Sequence, residues 1–180
     1  AVVTVPNRDT NADPAGADLF SYVYPVTGSF LPGQTVTVPV IFANLGNAQA
    51  TGGVTLRAYL STDANFSNDD VLMDGDIFDG SLATFGVGQL YSLARLTVPG
   101  AAPNGAFFVI LRADEGETVA ETNDANNTAS AAGGTVVRST VSIVAIDPAA
   151  GEVTPPGVAN GGQFRISRTG STATALVVNY

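Results

Sequence analysis

The sequence contains no cysteine, no histidine and no tryptophan, and all seven of its basic residues are arginine. Without cysteine there can be no disulfide, thiolate metal ligand or thiol nucleophile. Without histidine, Ser-His-Asp and Cys-His systems cannot be assembled and imidazole-ligated zinc is excluded. A carboxylate pair for glycoside hydrolysis needs two acids flanking a cleft, whereas the acids here fall in turn-like clusters. Carbohydrate binding loses its strongest stacking residue with tryptophan. No apolar run reaches the roughly 20 residues that span a bilayer, so membrane insertion is not expected. Basic residues are also few: seven against sixteen acidic ones give a net charge of -9. Such a surface repels phosphate backbones and anionic lipid and favours cations, which argues against nucleic-acid partners.

What is present is apolar, β-branched and rich in turn residues. Hydrophobic residues make up 45% of the 180, with 20 glycines and 10 prolines, and Leu-rich helical periods are missing. This predicts an all-β chain of one or two domains. The segment A-V-V-T-V, carrying Val2, Val3 and Val5, reads as a short strand on a polar connector. From Asp18 a strand L-F-S-Y-V-Y begins, and T-V-T-V-P-V-I-F-A-N follows with Val36, Val38, Val40 and Phe42 on one face. Pro39 places that strand at an edge or at a bulge. Val54, Leu56, Ala58 and Leu60 alternate next, then Leu90, Ala94, Leu96 and Val98, while A-F-F-V-I-L-R-A-D reads as a central strand buried on both faces. Six or seven strands with turns about every ten residues predict a β-sandwich. Gly133-Gly134 breaks the pattern, which divides the chain into residues 1–16, 17–132 and 133–180.

The densest chemistry lies in S-T-D-A-N-F-S-N-D-D-V-L-M-D-G-D-I-F-D, residues 61–79. Asp63, Asn65, Ser67, Asp69 and Asp74 fall at the first, third, fifth, seventh and twelfth places of the helix-loop-helix calcium loop, with Asp70 and Asp76 in reserve. Asn68 stands where that loop has its turn glycine, an Asp replaces the final Glu, and neither flank is helical. Crowded carboxylates repel, and calcium relieves them, so a calcium-ordered loop between strands is expected beside the alternative of a solvated acidic turn. A second cluster, Glu121, Asn123, Asp124, Asn126 and Asn127, could hold an ion or stitch a turn to neighbouring backbone through amide hydrogen bonds.

These residues carry a resemblance. Asp18-Leu19, Pro32-Gly33, the Asn44-x-Gly46 turn, Tyr59-Leu60-Ser61 with Asp63 and Asp70, Val98-Pro99, Gly105 and above all E-T-N-D-A-N-N at 121–127 resemble the bacterial cell-adhesion-related domain CARDB over about residues 17–132. That resemblance implies a seven-stranded immunoglobulin-like sandwich in an exported bacterial or archaeal protein, usually a spacer or adhesion module without catalysis. Beyond it, Asp147, Glu152, G-x-F-x-x-x-R-T-G and A-L-x-V-x-Y, within residues 141–180, resemble the opening of a Calx-beta domain. There the resemblance implies a calcium-ligand role for Glu152, although the later strands and acidic ligands of that family are absent from residues 141–180.

The fold class expected is therefore all-β, an immunoglobulin-like sandwich followed by a partial second β-sandwich. A half-built sheet buries too little to stand alone and recruits strands. Either the natural chain continues beyond Tyr180, or other copies or adjacent β-domains complete the sheet, or the A-V-V-T-V segment pairs within its own chain. In the second case Val2, Val3 and Val5 of one copy would pair with the Val177 and Val178 end of another, building a filament. The function expected is a calcium-stabilised, non-enzymatic structural or adhesive module at the cell surface, the alternative being an accessory binding module of a secreted hydrolase.

Overall fold

A computed structural model describes residues 16–75, 82–149, 151, 161–170, 175 and 177. The chain divides into two compact units between Val136 and Val137. Val2, Val3, Val5, Asp76, Glu152 and Val178 lie outside the described residues.

The first unit contains β1 (Leu19–Val23), β2 (Ser29–Phe30), β3 (Thr35–Asn44), β4 (Ala50–Val54), β5 (Leu56–Ser61), β6 (Val71–Leu72), β7 (Asp74–Gly75), β8 (Leu82–Phe85), β9 (Leu90–Thr97), β10 (Gly105–Ala113) and β11 (Thr128–Val136). One sheet has the order β1-β3-β9-β7, the other β2-β11-β10-β5-β6, and β4 pairs with β8. Alternation puts Val36, Val38, Val40, Ala94 and Leu96 of the first sheet against Ala58, Leu60, Phe107, Val109 and Leu111 of the second. That shared core is the sandwich. A second cluster, centred on Phe42 and Phe85 with ring centroids 4.7 Å apart, joins Leu19, Val54, Leu56 and Ala113 at one end. Each buried Val, Leu or Phe among them contributes roughly 1.5–3 kcal/mol.

Proline sets a local detail. Pro39 lies within an interior strand, and the β3–β9 register slips between Pro39 and Phe42. The bulge brings Ile41, 4% exposed, under cover as well as Phe42. Past it, Tyr91 stands opposite the buried Phe42 and takes the inward place. Leu90, expected inside from simple alternation, is 48% exposed because the bulge has reversed the phase. β10 is the middle strand of its sheet, and its outward-facing Ile110 is fully buried, matching its apolar sequence.

The sequence places the boundary at Gly133-Gly134, but β11 runs on to Val136. A Cβ on Gly133 would enter the Phe107 ring, and Gly134, at φ +97°, carries the strand through a register shift opposite Phe107. Both glycines shape the strand, and the compact unit ends after it.

In the second unit, β12 (Val141–Asp147) pairs antiparallel with β13 (Gln163–Arg168). Ile143 faces Ile166 and Ala145 faces Phe164 across the ladder, giving one apolar face. Ile143, Phe164 and Ile166 are 59%, 67% and 69% exposed.

Candidate functional site

The acidic loop leaves β5 in one sheet and ends in β7 of the other, so it crosses the sandwich edge. Its oxygens are held locally. Asp63 Oδ1 accepts from the Asn65 amide at 2.7 Å and Asp70 Oδ2 from the Ser67 amide at 2.8 Å. The Ser67 hydroxyl donates to Asp69 Oδ1 and holds that carboxyl below the usual carboxylate range. Asp74, the twelfth place of the calcium template, has become a strand residue opposite Thr97. Among the described residues no three acidic side chains come together as an ion cage.

An aromatic side chain inside the loop fastens it to the sheet. The Arg112 guanidinium lies 4.0 Å from the Phe66 ring centroid, and the Tyr59 ring meets Phe66 edge-on at 4.9 Å. Glu115 organises the same face, accepting from Arg57 and Arg112 at 2.6 Å each and from the Tyr59 hydroxyl at 2.9 Å. Burial pushes the Tyr59 phenol up, so it stays protonated as donor. Phe66 is the residue that sequence reading missed, because polar neighbours hid its role; the only signal was a lone aromatic among the five acidic or amide residues from Asp63 to Asp70. Phe66→Ala is expected to cost only about 1 kcal/mol of global stability, yet to expose residues 62–70 to limited proteolysis. Cleavage there unchanged from the parent would remove Phe66 from this role.

The second cluster joins chain segments far apart in sequence. Glu121 accepts from the Leu19 amide through Oε2 and from Asn127 Nδ2, at 2.8 Å, through Oε1. Asn126 Nδ2 donates to Asp18 Oδ1 at 2.8 Å, and Asn123 caps the short 3-10 turn Asp124–Asn126 through the Ala125 amide. Ala17 bridges Glu121, and the Thr122 amide donates to the Ala17 carbonyl at 2.9 Å. These contacts tie the start of β1 to the β10–β11 connection. Upstream of the cluster, Asp114, 4% exposed at φ 42°, accepts from Thr118 and Val119 amides and shapes the preceding turn.

Burial pushes the Glu121 carboxyl above its ordinary value, against the pull of its two donors. The folded state therefore binds a proton more readily than the unfolded chain, and stability falls as pH rises from the ordinary carboxyl range through the raised folded value. Glu121→Gln should flatten that slope. It should also lower stability throughout, since an amide offers one acceptor oxygen where the carboxylate serves two donors. Urea midpoints across pH 4–7 read both effects; an unaltered slope in the variant would assign the dependence elsewhere.

The third polar centre is Asn44, fully buried. Its Oδ1 accepts from the Asp18 and Gly46 amides at 3.1 and 3.0 Å. Its Nδ2 donates to the Ala48 and Phe85 carbonyls at 2.9 and 3.1 Å. Gly46 fits beneath the incoming chain because a Cβ would lie 2.6 Å from the Asp18 nitrogen.

Two sheets around one apolar core, a parallel edge contact of β2 with β11, and polar staples at one end define an immunoglobulin-like β-sandwich. The same fold occurs in the CARDB domain of the PF1109 protein from Pyrococcus furiosus, crystallised in complex with di-metal ions. The two are 19% identical and superpose with a TM-score of 0.50 over 74% of this chain and 100% of that domain. The solution structure of the same domain matches at 19% identity and TM-score 0.49, over 69% of this chain and 98% of that one. Spo0M, a sporulation control protein from Bacillus subtilis, matches at 15% identity and TM-score 0.36, over 67% of this chain and 49% of that one. No family model and no curated relative matches the sequence.

Proposed function

We propose that this chain is an exported, non-catalytic structural or adhesive module whose sandwich acts as a strut and whose second unit joins the next β-domain or another copy. The observation carrying this reading is the apolar face of the β12–β13 ribbon: Ile143, Phe164 and Ile166 are each more than half exposed. A two-stranded ribbon is marginal alone and gains stability when such a face is covered. The CARDB fold fits a spacer, and the Calx-beta-like motifs at Phe164 and Arg168–Gly170 fit a following sandwich domain. Sedimentation of the full chain against an Ile143→Glu/Ile166→Glu variant tests the joint. A concentration-dependent increase in mass in the parent, lost in the variant, is expected; for a joint to a following domain, the readout is stabilisation of the ribbon when the chain is extended. A parent that stays monomeric and gains nothing from extension sinks the proposal.

Calcium is proposed as the ion of the 61–79 loop, with Asp63, Asn65, Asp69, Asp70 and Asp74 as oxygen ligands. The donor set is of the hard-oxygen kind that calcium takes, and the PF1109 domain, crystallised in complex with di-metal ions, supports metal binding by a domain of this fold. Binding would exchange the local amide contacts of Asp63 and Asp70 for the cation. Chelator-treated protein should then release or absorb heat on calcium titration and melt several degrees higher with millimolar calcium, by mass action. Absence of both leaves an acidic turn anchored by Phe66.

A further inference from the structure

The outer face of the first sheet carries a patch of aromatic rings. β1 is the outermost strand of that sheet and turns Leu19, Ser21 and Val23 inward, each at most 4% exposed. Its alternate residues, Phe20 and Tyr22, therefore face out, and Tyr24 follows in the same phase. Phe20 stands opposite Ala43, whose other neighbour is Leu90 of β9. Tyr22 stands opposite Ile41, and the Tyr24 amide donates to the Pro39 carbonyl to begin a third row. Tyr22 is 43% exposed and Leu90 48%, while Ile41 and Ala43 on β3 between them are covered. The Tyr22 and Tyr24 rings meet edge-on at 4.8 Å, so each restricts the other. From Phe20 to Tyr24 the rings extend about 13 Å along the strand. Asp18, bonded to Asn126, and Arg95, opposite Thr37, come one row beyond the patch at its two ends.

We infer that this face is a binding platform for a neutral glycan chain, its rings stacking on sugar C–H faces and the Tyr22 and Tyr24 hydroxyls bonding sugar hydroxyls. Charge decides the ligand class. In a chain of net charge -9 this patch is neutral, so an ionic ligand finds no counter-charge within it. A wholly apolar ligand would cover two phenol groups without giving them a partner, which costs free energy. A neutral sugar has both an apolar side and hydroxyls, the same division that a tyrosine ring presents. Small-ligand sites are built in this way, mostly apolar and aromatic with a few polar groups that fix orientation. The absence of tryptophan weakens the sequence signal for carbohydrate, but folding sets two tyrosines outward on one strand. The inference rests on the adhesive reading proposed above for its role and names the ligand class of that reading; its site lies wholly in the first unit, apart from the ribbon that carries the joint.

Affinity electrophoresis of the full chain tests it, in gels containing hydroxyethyl cellulose, galactomannan or dextran. At least one of these neutral polymers should retard the parent, and retardation should persist at about 1 M salt, where contacts between charges are screened. Tyr22→Ala/Tyr24→Ala should weaken it at least about tenfold with a urea midpoint near the parent's, while Tyr22→Phe/Tyr24→Phe, which keeps the rings, should lose less. The Ile143→Glu/Ile166→Glu variant should be retarded like the parent, which keeps this outcome separate from that of the ribbon joint. A parent that runs freely in all three gels overturns the inference, as does equal retardation of the alanine variant or retardation abolished by salt. A concentration-dependent mass that Tyr22→Ala/Tyr24→Ala removes also overturns it, since it would give the face to a second copy.

Discussion

Asn44→Ala is expected to lower the unfolding free energy by about 3–5 kcal/mol, summing the orphaned groups it leaves at roughly 1–3 kcal/mol each with partial relief by water. The side chain is fully buried and serves two donors and two acceptors: the Asp18 and Gly46 amides and the Ala48 and Phe85 carbonyls. Truncation leaves all four without that partner at the point where the entry to β1, the turn after β3 and the end of β8 meet. A loss of this size is a large share of the 5–15 kcal/mol typical of a domain. In urea the midpoint should fall with the slope unchanged, because the fold loses bonds and not compactness. A change below about 1 kcal/mol would mean that water replaces the amide at low cost.

The second large effect is steric. Gly133→Ala is expected to cost about 2–3 kcal/mol through overpacking. The new Cβ would sit 2.9 Å from Phe107 Cζ and nearer still to Cε2 and Cδ2. Phe107 is 2% exposed in the central core, so its ring has no room to swing away. The test is a double-mutant cycle. In a Phe107→Leu background, which pays its own cavity cost, Gly133→Ala should be nearly neutral, giving a coupling above about 1 kcal/mol. Additive losses would show that the glycine is needed for its backbone and not for the ring lying over it. Mapping the same pair by exchange would separate β11 from the second unit, because Gly133 lies inside the strand that closes the first one.

The patterned strands were legible from the amino acids. Val36, Val38 and Val40 follow a period of two and are buried as that period requires. The apolar run at 106–111 lies in the middle strand of its sheet because only a strand covered on both faces tolerates it. Phase errors began where the backbone inserts an extra residue. The slip between Pro39 and Phe42 turned Tyr91 inward and Leu90 outward, and Pro39 announced a bulge or an edge without saying which strand would lose its phase. Asn44 and Phe66 were harder. Their partners lie up to 41 and 46 residues away, at Phe85 and Arg112, and no local spacing encodes them.

What the sequence by itself determined is the class: absent histidine and cysteine removed whole chemistries, and alternation with frequent turn residues required sheets. Tertiary structure alone decided which polar side chains face one another. It spread the loop's carboxylates over local amides and brought Glu121 to Leu19. Burial and alternation are properties of a short stretch and survive in its composition. Pairing between distant stretches depends on how two sheets register against each other, a quantity that exists only once the chain has closed.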